Sequence, residues 1–218
     1  MHWVQKAKDT PSAVLLFVQL AAVLLYPFME GSVGRALLSV FGILVLGLVV
    51  LAVRSTPGLT WVALLLGAPA TVLLAIQIIT DDDKLLPYSS ALEAALYFYA
   101  AGALIAYMLA DHVITRDELF AVGATFTLVA WAFAYTYTVV QAIYPGSFTA
   151  AVEPEAQRSW MELLFLSFTT LTSTGLSDVI PVRAFARSVC MIEQLAGLGY
   201  VAVLVSRLVG LTVLRRSE

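Results

Sequence analysis

The chain is short of charge. Lys, Arg, Asp and Glu make up 12% of its 218 residues, about half the share of a soluble domain. Hydrophobic residues make up 61%, and mean hydropathy is +0.91. That composition reads as an integral membrane protein. Histidine is scarce as well. His2 and His112 both lie outside the apolar runs, which excludes paired axial ligands for an intramembrane haem. The single cysteine, Cys190, excludes an intrachain disulfide. A net charge of -3 gives no basic field for nucleic acid. Only Glu93 and Glu193 place carboxylates well inside apolar runs, and neither belongs to a catalytic motif. An intramembrane hydrolase would need a nucleophile and a base at facing depths. No repeat relates the two halves, and Pro69 breaks the third run without a counterpart. Secondary transporters show such paired halves, and no small-molecule substrate is evident.

What is present is a series of six apolar runs: residues 12–29, 35–53, 60–80, 89–110, 120–144 and 182–214. Each approaches the 20 or so residues that a membrane-crossing helix needs. The breaks at 30–32, 54–58, 81–84, 111–117 and 144–147 combine charge with turn formers. The first run follows Lys6 and Lys8 but lacks a small-residue cleavage site, so it reads as a retained span. Six spans put Lys6, Lys8, Arg54, Arg116, Arg215 and Arg216 on one side, against Arg35, Lys84, Arg158 and Arg183. The basic excess places both termini in the cytoplasm. Asp81, Asp82 and Asp83 then lie outside, as a solvated loop rather than a divalent-ion site, and Glu93 is expected to reach the membrane surface.

Between the fifth and sixth runs, Ser159-Trp160-Met161-Glu162 has the form of a capping box and predicts a short helix over 160–171. A hydroxyl-rich, glycine-broken stretch follows: Ser167-Phe168-Thr169-Thr170-Leu171-Thr172-Ser173-Thr174-Gly175-Leu176-Ser177-Asp178-Val179-Ile180-Pro181. Helix, irregular polar backbone, proline and helix describe a re-entrant loop. Such backbone is tolerated at membrane depth only where protein buries it or water lines it.

At these residues the sequence resembles the pore of the tetrameric potassium-channel family, in its bacterial six-span form with one pore loop per subunit. That family reads T-T-V-G-Y-G-D through its filter. Here Thr172-Ser173-Thr174-Gly175-Leu176-Ser177-Asp178 stand in its place, and the likeness continues through Pro181 to Gly197, at the position of the inner-helix hinge. The resemblance implies an all-α membrane protein of six transmembrane helices plus a re-entrant pore helix and filter loop. Residues 1–117 would form a peripheral four-helix domain and 118–218 the pore domain. Backbone carbonyls of Thr172, Ser173, Thr174, Gly175, Leu176 and Ser177 would replace the ion's water. Asp178 would stand at the outer mouth and Gly197 at a gating hinge. Leu198, Val201, Ala202, Val205 and Val209 would line the inner cavity. One loop cannot encircle an ion, so a homotetramer follows. The expected setting is the lipid of a bacterial plasma membrane. The permeant ions would be potassium and, through an altered filter, sodium. No cofactor, no other metal and no enzymatic activity are expected.

The filter departs from the family's pattern. Gly175 keeps one left-handed position at little cost. Ser177 replaces the second glycine, at roughly 1–2 kcal/mol if the geometry is kept. Leu176 replaces the bracing tyrosine, and Phe165 and Leu166 occupy the part of the pore helix that the tyrosine would meet. Three functions stay open: a potassium pore, a wider non-selective cation pore, and a non-conducting scaffold that kept the fold. Asp178 has an alternative role as a cap for the helix starting near Val182. Gly197 and Gly199 have one in close helix packing, and the apolar stripe from Leu198 has one as helix–helix core. Glu193, one turn before Gly197, is expected to brace the pore helix from behind. The fourth run carries no arginine or lysine, so it cannot sense voltage.

Overall fold

The computed structural model describes residues 10–26, 32–54, 56, 58–80, 83–110 and 115–217. Seven α-helices occupy most of them: α1 (Pro11–Leu25), α2 (Ser32–Arg54), α3 (Thr60–Thr80), α4 (Leu86–Leu109), α5 (Arg116–Ile143), α6 (Trp160–Leu171) and α7 (Ala184–Ser217). A 3-10 turn, Asp83–Leu85, leads into α4. Two strands of two residues each, β1 (Phe148–Thr149) and β2 (Ile180–Pro181), pair antiparallel. His2, Lys6, Lys8, Asp81, Asp82, His112 and the end of the first run at 27–29 lie outside the described residues.

Among the described residues, four helices contain stretches long and apolar enough to cross a membrane: Thr60–Gln77, Leu86–Leu109, Arg116–Ile143 and Ala184–Arg207. In α1 and α2 the corresponding described stretches, Pro11–Leu25 and Gly42–Arg54, are shorter. Pro69 was expected to interrupt the third run, yet α3 continues through it as one helix. Proline removes one backbone donor, and a helix inside a membrane protein tolerates that when neighbours satisfy the freed carbonyl. The fifth helix begins at Arg116, earlier than its apolar pattern suggested. Thr115 accepts the Glu118 amide through its hydroxyl at 3.2 Å, and Asp117 and Glu118 occupy the first turn. Acidic side chains there complement the helix dipole, so these charges start the helix.

Contacts divide the chain into two compact units, Met1–Val129 and Ala130–Glu218, so the division falls inside α5. In the first unit α2, α3 and α4 pack against one another through Val45, Val49, Ala63, Ala70, Leu96 and Ala100, all fully buried. Small side chains at these crossings let helix backbones approach closely. The Asp117 carboxylate receives the Ser12 amide at 3.1 Å and the Ser12 hydroxyl at 2.9 Å, which supplies the cap that Thr10 does not give α1. Glu93 is buried, 1% exposed, and so does not reach the surface as expected. In the second unit α6 lies against α7, with Leu163, Leu164, Leu166, Val179 and Ala186 at the core.

Candidate functional site

Helix α6 covers 12 residues, and its start is held from several directions. The Ser159 hydroxyl accepts the Glu162 amide at 3.3 Å, and Glu162 accepts the Ser159 amide at 2.6 Å, completing the capping box. The side-chain amide of Gln141 on α5 clamps the preceding backbone. It accepts from Arg158 N at 2.8 Å and donates to Arg158 O at 2.9 Å. The Arg158 guanidinium is almost wholly buried and ion-paired with Glu162 at 3.2 Å. It also donates to the carbonyls of Val152, Glu153 and Ala156, which folds residues 152–158 around it. Trp160 stacks edge-on to Trp131 at 5.2 Å and lies 5.3 Å from Tyr135.

The back of α6 is tied to both long helices of the unit through one carboxyl group. Glu193 of α7 is fully buried and accepts hydrogen bonds from the hydroxyls of Tyr137 on α5 and Ser167 on α6. Ser167 also lies 2.7 Å from the Ala130 carbonyl. This is the bracing position that the sequence suggested for Glu193.

At its other end α6 turns directly into the hydroxyl-rich loop. The Thr172 amide bonds to Phe168 O at 3.0 Å and the Ser173 amide to Thr170 O at 3.0 Å. Thr169 O receives both the Thr174 amide at 3.0 Å and the Gly175 amide at 3.1 Å. Carbonyls that a helix end would leave unpaired are therefore capped by the loop itself. The hydroxyls join in: Thr172 Oγ1 donates to Phe168 O at 2.6 Å and lies 3.0 Å from Thr174 Oγ1. Two residues are left-handed, Ser173 at φ 58° and Gly175 at φ 64°. Gly175 was foreseen, whereas Ser177 was the expected second position. Ser177 is not left-handed; its hydroxyl instead accepts the Val179 amide at 3.0 Å, forming a local turn. The strain of about 1–2 kcal/mol for a non-glycine residue in this region thus falls on Ser173.

Beyond the loop, Asp178 is exposed and Val179 is buried. Helix α7 begins only at Ala184, too far along for Asp178 to cap it. The chain is then pinned to the segment that follows α5. Phe148 pairs with Pro181 and Thr149 with Ile180, and Val182 donates to Ser147 O at 2.9 Å. Sequence reasoning missed this pairing, since two residues give no alternating pattern to find.

Helix α7 runs unbroken through Gly197. A β-carbon there would overlap the carbonyl oxygen of Leu171 and lie 2.8 Å from its carbonyl carbon. Gly197 is therefore where the α7 backbone meets the end of α6, which supports its packing role. At Gly199 a β-carbon would meet nothing within 4 Å. Of the expected cavity residues, Leu198 lines a hollow of about 550 Å³ together with Thr170, Ser173, Gly175 and Gln194. Val201, Ala202 and Val205 follow on the same helix and are exposed, and the side chain of Val209 lies outside the described residues. Gln194 was not singled out from the sequence; its signal is one uncharged polar residue on an otherwise apolar helical face.

A family model described as an ion channel matches residues 95–213, more than half of the 218-residue chain. The chain belongs to this ion-channel family. The match takes in α5, the α6–loop region and most of α7, and it identifies a membrane protein and an ion channel of the potassium-channel type. No curated protein and no solved structure matches the chain.

Proposed function

We propose that this ion channel is a homotetramer of six-span subunits that conducts monovalent cations passively, with potassium as its preferred ion. One observation carries the reading. The loop at residues 172–176 is polar, irregular and exposed in the single chain, yet it follows a helix that is clamped ahead of its first turn by Gln141, tied at Ser167 to Glu193 and capped at its end by the loop's own amides. Backbone of that kind must face water or protein at membrane depth, so other copies are needed around it. The carbonyls and hydroxyls from Thr172 to Ser177 would then supply the oxygens that replace water on the ion. Asp178, which is exposed, would concentrate cations at the outer mouth. The C-terminal end of α6 would add its partial negative charge below. Both termini would be cytoplasmic.

A non-selective pore is the second reading, favoured by Leu176. This residue stands where the family's bracing tyrosine would be and is 78% exposed. The deciding experiment is cation flux through purified protein in liposomes, potassium against sodium. Potassium flux without sodium flux supports the first reading, and flux of both supports the second. No flux of either ion, in a verified tetramer tested across pH and voltage, would overturn both and leave a scaffold.

A further inference from the structure

Within the first unit, α2 and α3 flank an open groove of about 870 Å³, lined by none of the loop residues 172–176. That volume is within the roughly 300–1,000 Å³ of small-ligand sites. Its walls include Leu46, Gly47, Leu51, Leu64 and Gly67, and its polar end is formed by Arg54 and Thr60. The shape is amphiphilic, an apolar slot ending at a cation. Polar groups of the adjoining turn satisfy one another: the Thr56 hydroxyl donates to Val53 O at 2.7 Å, and the Gly58 amide donates to Thr56 Oγ1 at 3.2 Å. Arg54 is exposed at the end of α2, and among the described residues no carboxylate pairs with it.

We propose that this hollow binds one anionic phospholipid, with an acyl chain along Gly47, Leu51 and Leu64 and the headgroup phosphate on Arg54. Any lipid would fill the slot, so the specificity comes from the charge. A guanidinium offers a phosphate two parallel donors, and Arg54 has no acid to displace among the described residues. Gly47 borders open space in the slot: a β-carbon there would meet nothing within 4 Å.

The test takes the full chain, delipidated in detergent and re-equilibrated with equal phosphatidylglycerol and phosphatidylcholine of matched chains. Bound lipid and oligomeric mass are then read by native mass spectrometry. Phosphatidylglycerol should be retained about fivefold over phosphatidylcholine. Arg54→Gln should remove the preference while some lipid stays bound. Gly47→Leu, which fills open space, should reduce retention of both. Equal retention in the unaltered protein, or a preference that survives both substitutions, would overturn the proposal. So would a Gly47→Leu protein whose lipid content is unchanged but whose oligomeric mass falls, since the slot would then hold a neighbouring copy. The measurement does not require the pore to conduct, so it stands or falls apart from the flux experiment.

Discussion

Ser173 and Ser177 illustrate how two serines four positions apart carry opposite backbone demands. Ser173 is left-handed at φ 58° and Ser177 is not. Ser173→Gly should therefore stabilise the protein by up to about 1 kcal/mol, the relief of strain exceeding the added chain entropy. Ser177→Gly should destabilise it by about 1 kcal/mol, because the hydroxyl that accepts the Val179 amide is lost. Thermal unfolding of the purified variants checks both signs, and a gain from Ser177→Gly would contradict the geometry. Gly197 and Gly199 form a second contrasting pair. Gly197→Ala forces a methyl into the Leu171 carbonyl and should cost about 3 kcal/mol. Gly199→Ala meets nothing and should be neutral or slightly stabilising, since alanine is the better helix former. If both alanines unfold at the same temperature, the close approach at Leu171 is not a constraint.

At the scale of elements, α5, α6 and α7 are joined through Glu193. Replacing it by glutamine keeps an acceptor for Tyr137 and places an amide beside Ser167. Replacing it by leucine leaves the buried Tyr137 hydroxyl without its acceptor, while Ser167 keeps the Ala130 carbonyl. An orphaned buried hydroxyl costs about 1–3 kcal/mol. Glu193→Gln should therefore melt near the unaltered protein and keep its flux, whereas Glu193→Leu should melt lower and lose flux as α6 loosens. Equal behaviour of the two variants would mean that the carboxyl is not the tie. Which elements were legible in the sequence follows from how local their causes are. The capping box and the hydrophobic pattern of α6 lie within its own residues, so both of its ends, Trp160 and Leu171, were readable. The start of α5 was misplaced because Thr115, Arg116 and Asp117 were read as part of a charged break, although Thr115 followed by Glu118 three residues later is also a start signal.

For the whole molecule, the order of apolar runs was readable because composition and length suffice for it. The candidate site was legible as a stretch but not in its bonding. The left-handed turn at Ser173 and the pairing of residues 148–149 with 180–181 depend on α6 and α7 already being in place. The buried guanidinium of Arg158 was counted only as a charge outside the membrane. Its role depends on the fold of residues 152–156 around it, which no periodicity announces.

The pairing of β1 with β2 bears on the order of events in biogenesis. Together with the Val182–Ser147 bond, it fastens the segment after the loop to the segment before α6, within one chain. The pairing needs only residues of one chain, so a newly inserted chain can fasten both ends of its loop region before any encounter. On the proposed tetrameric reading, encounter between copies would then join parts already fastened within each chain, a docking step and not a folding step.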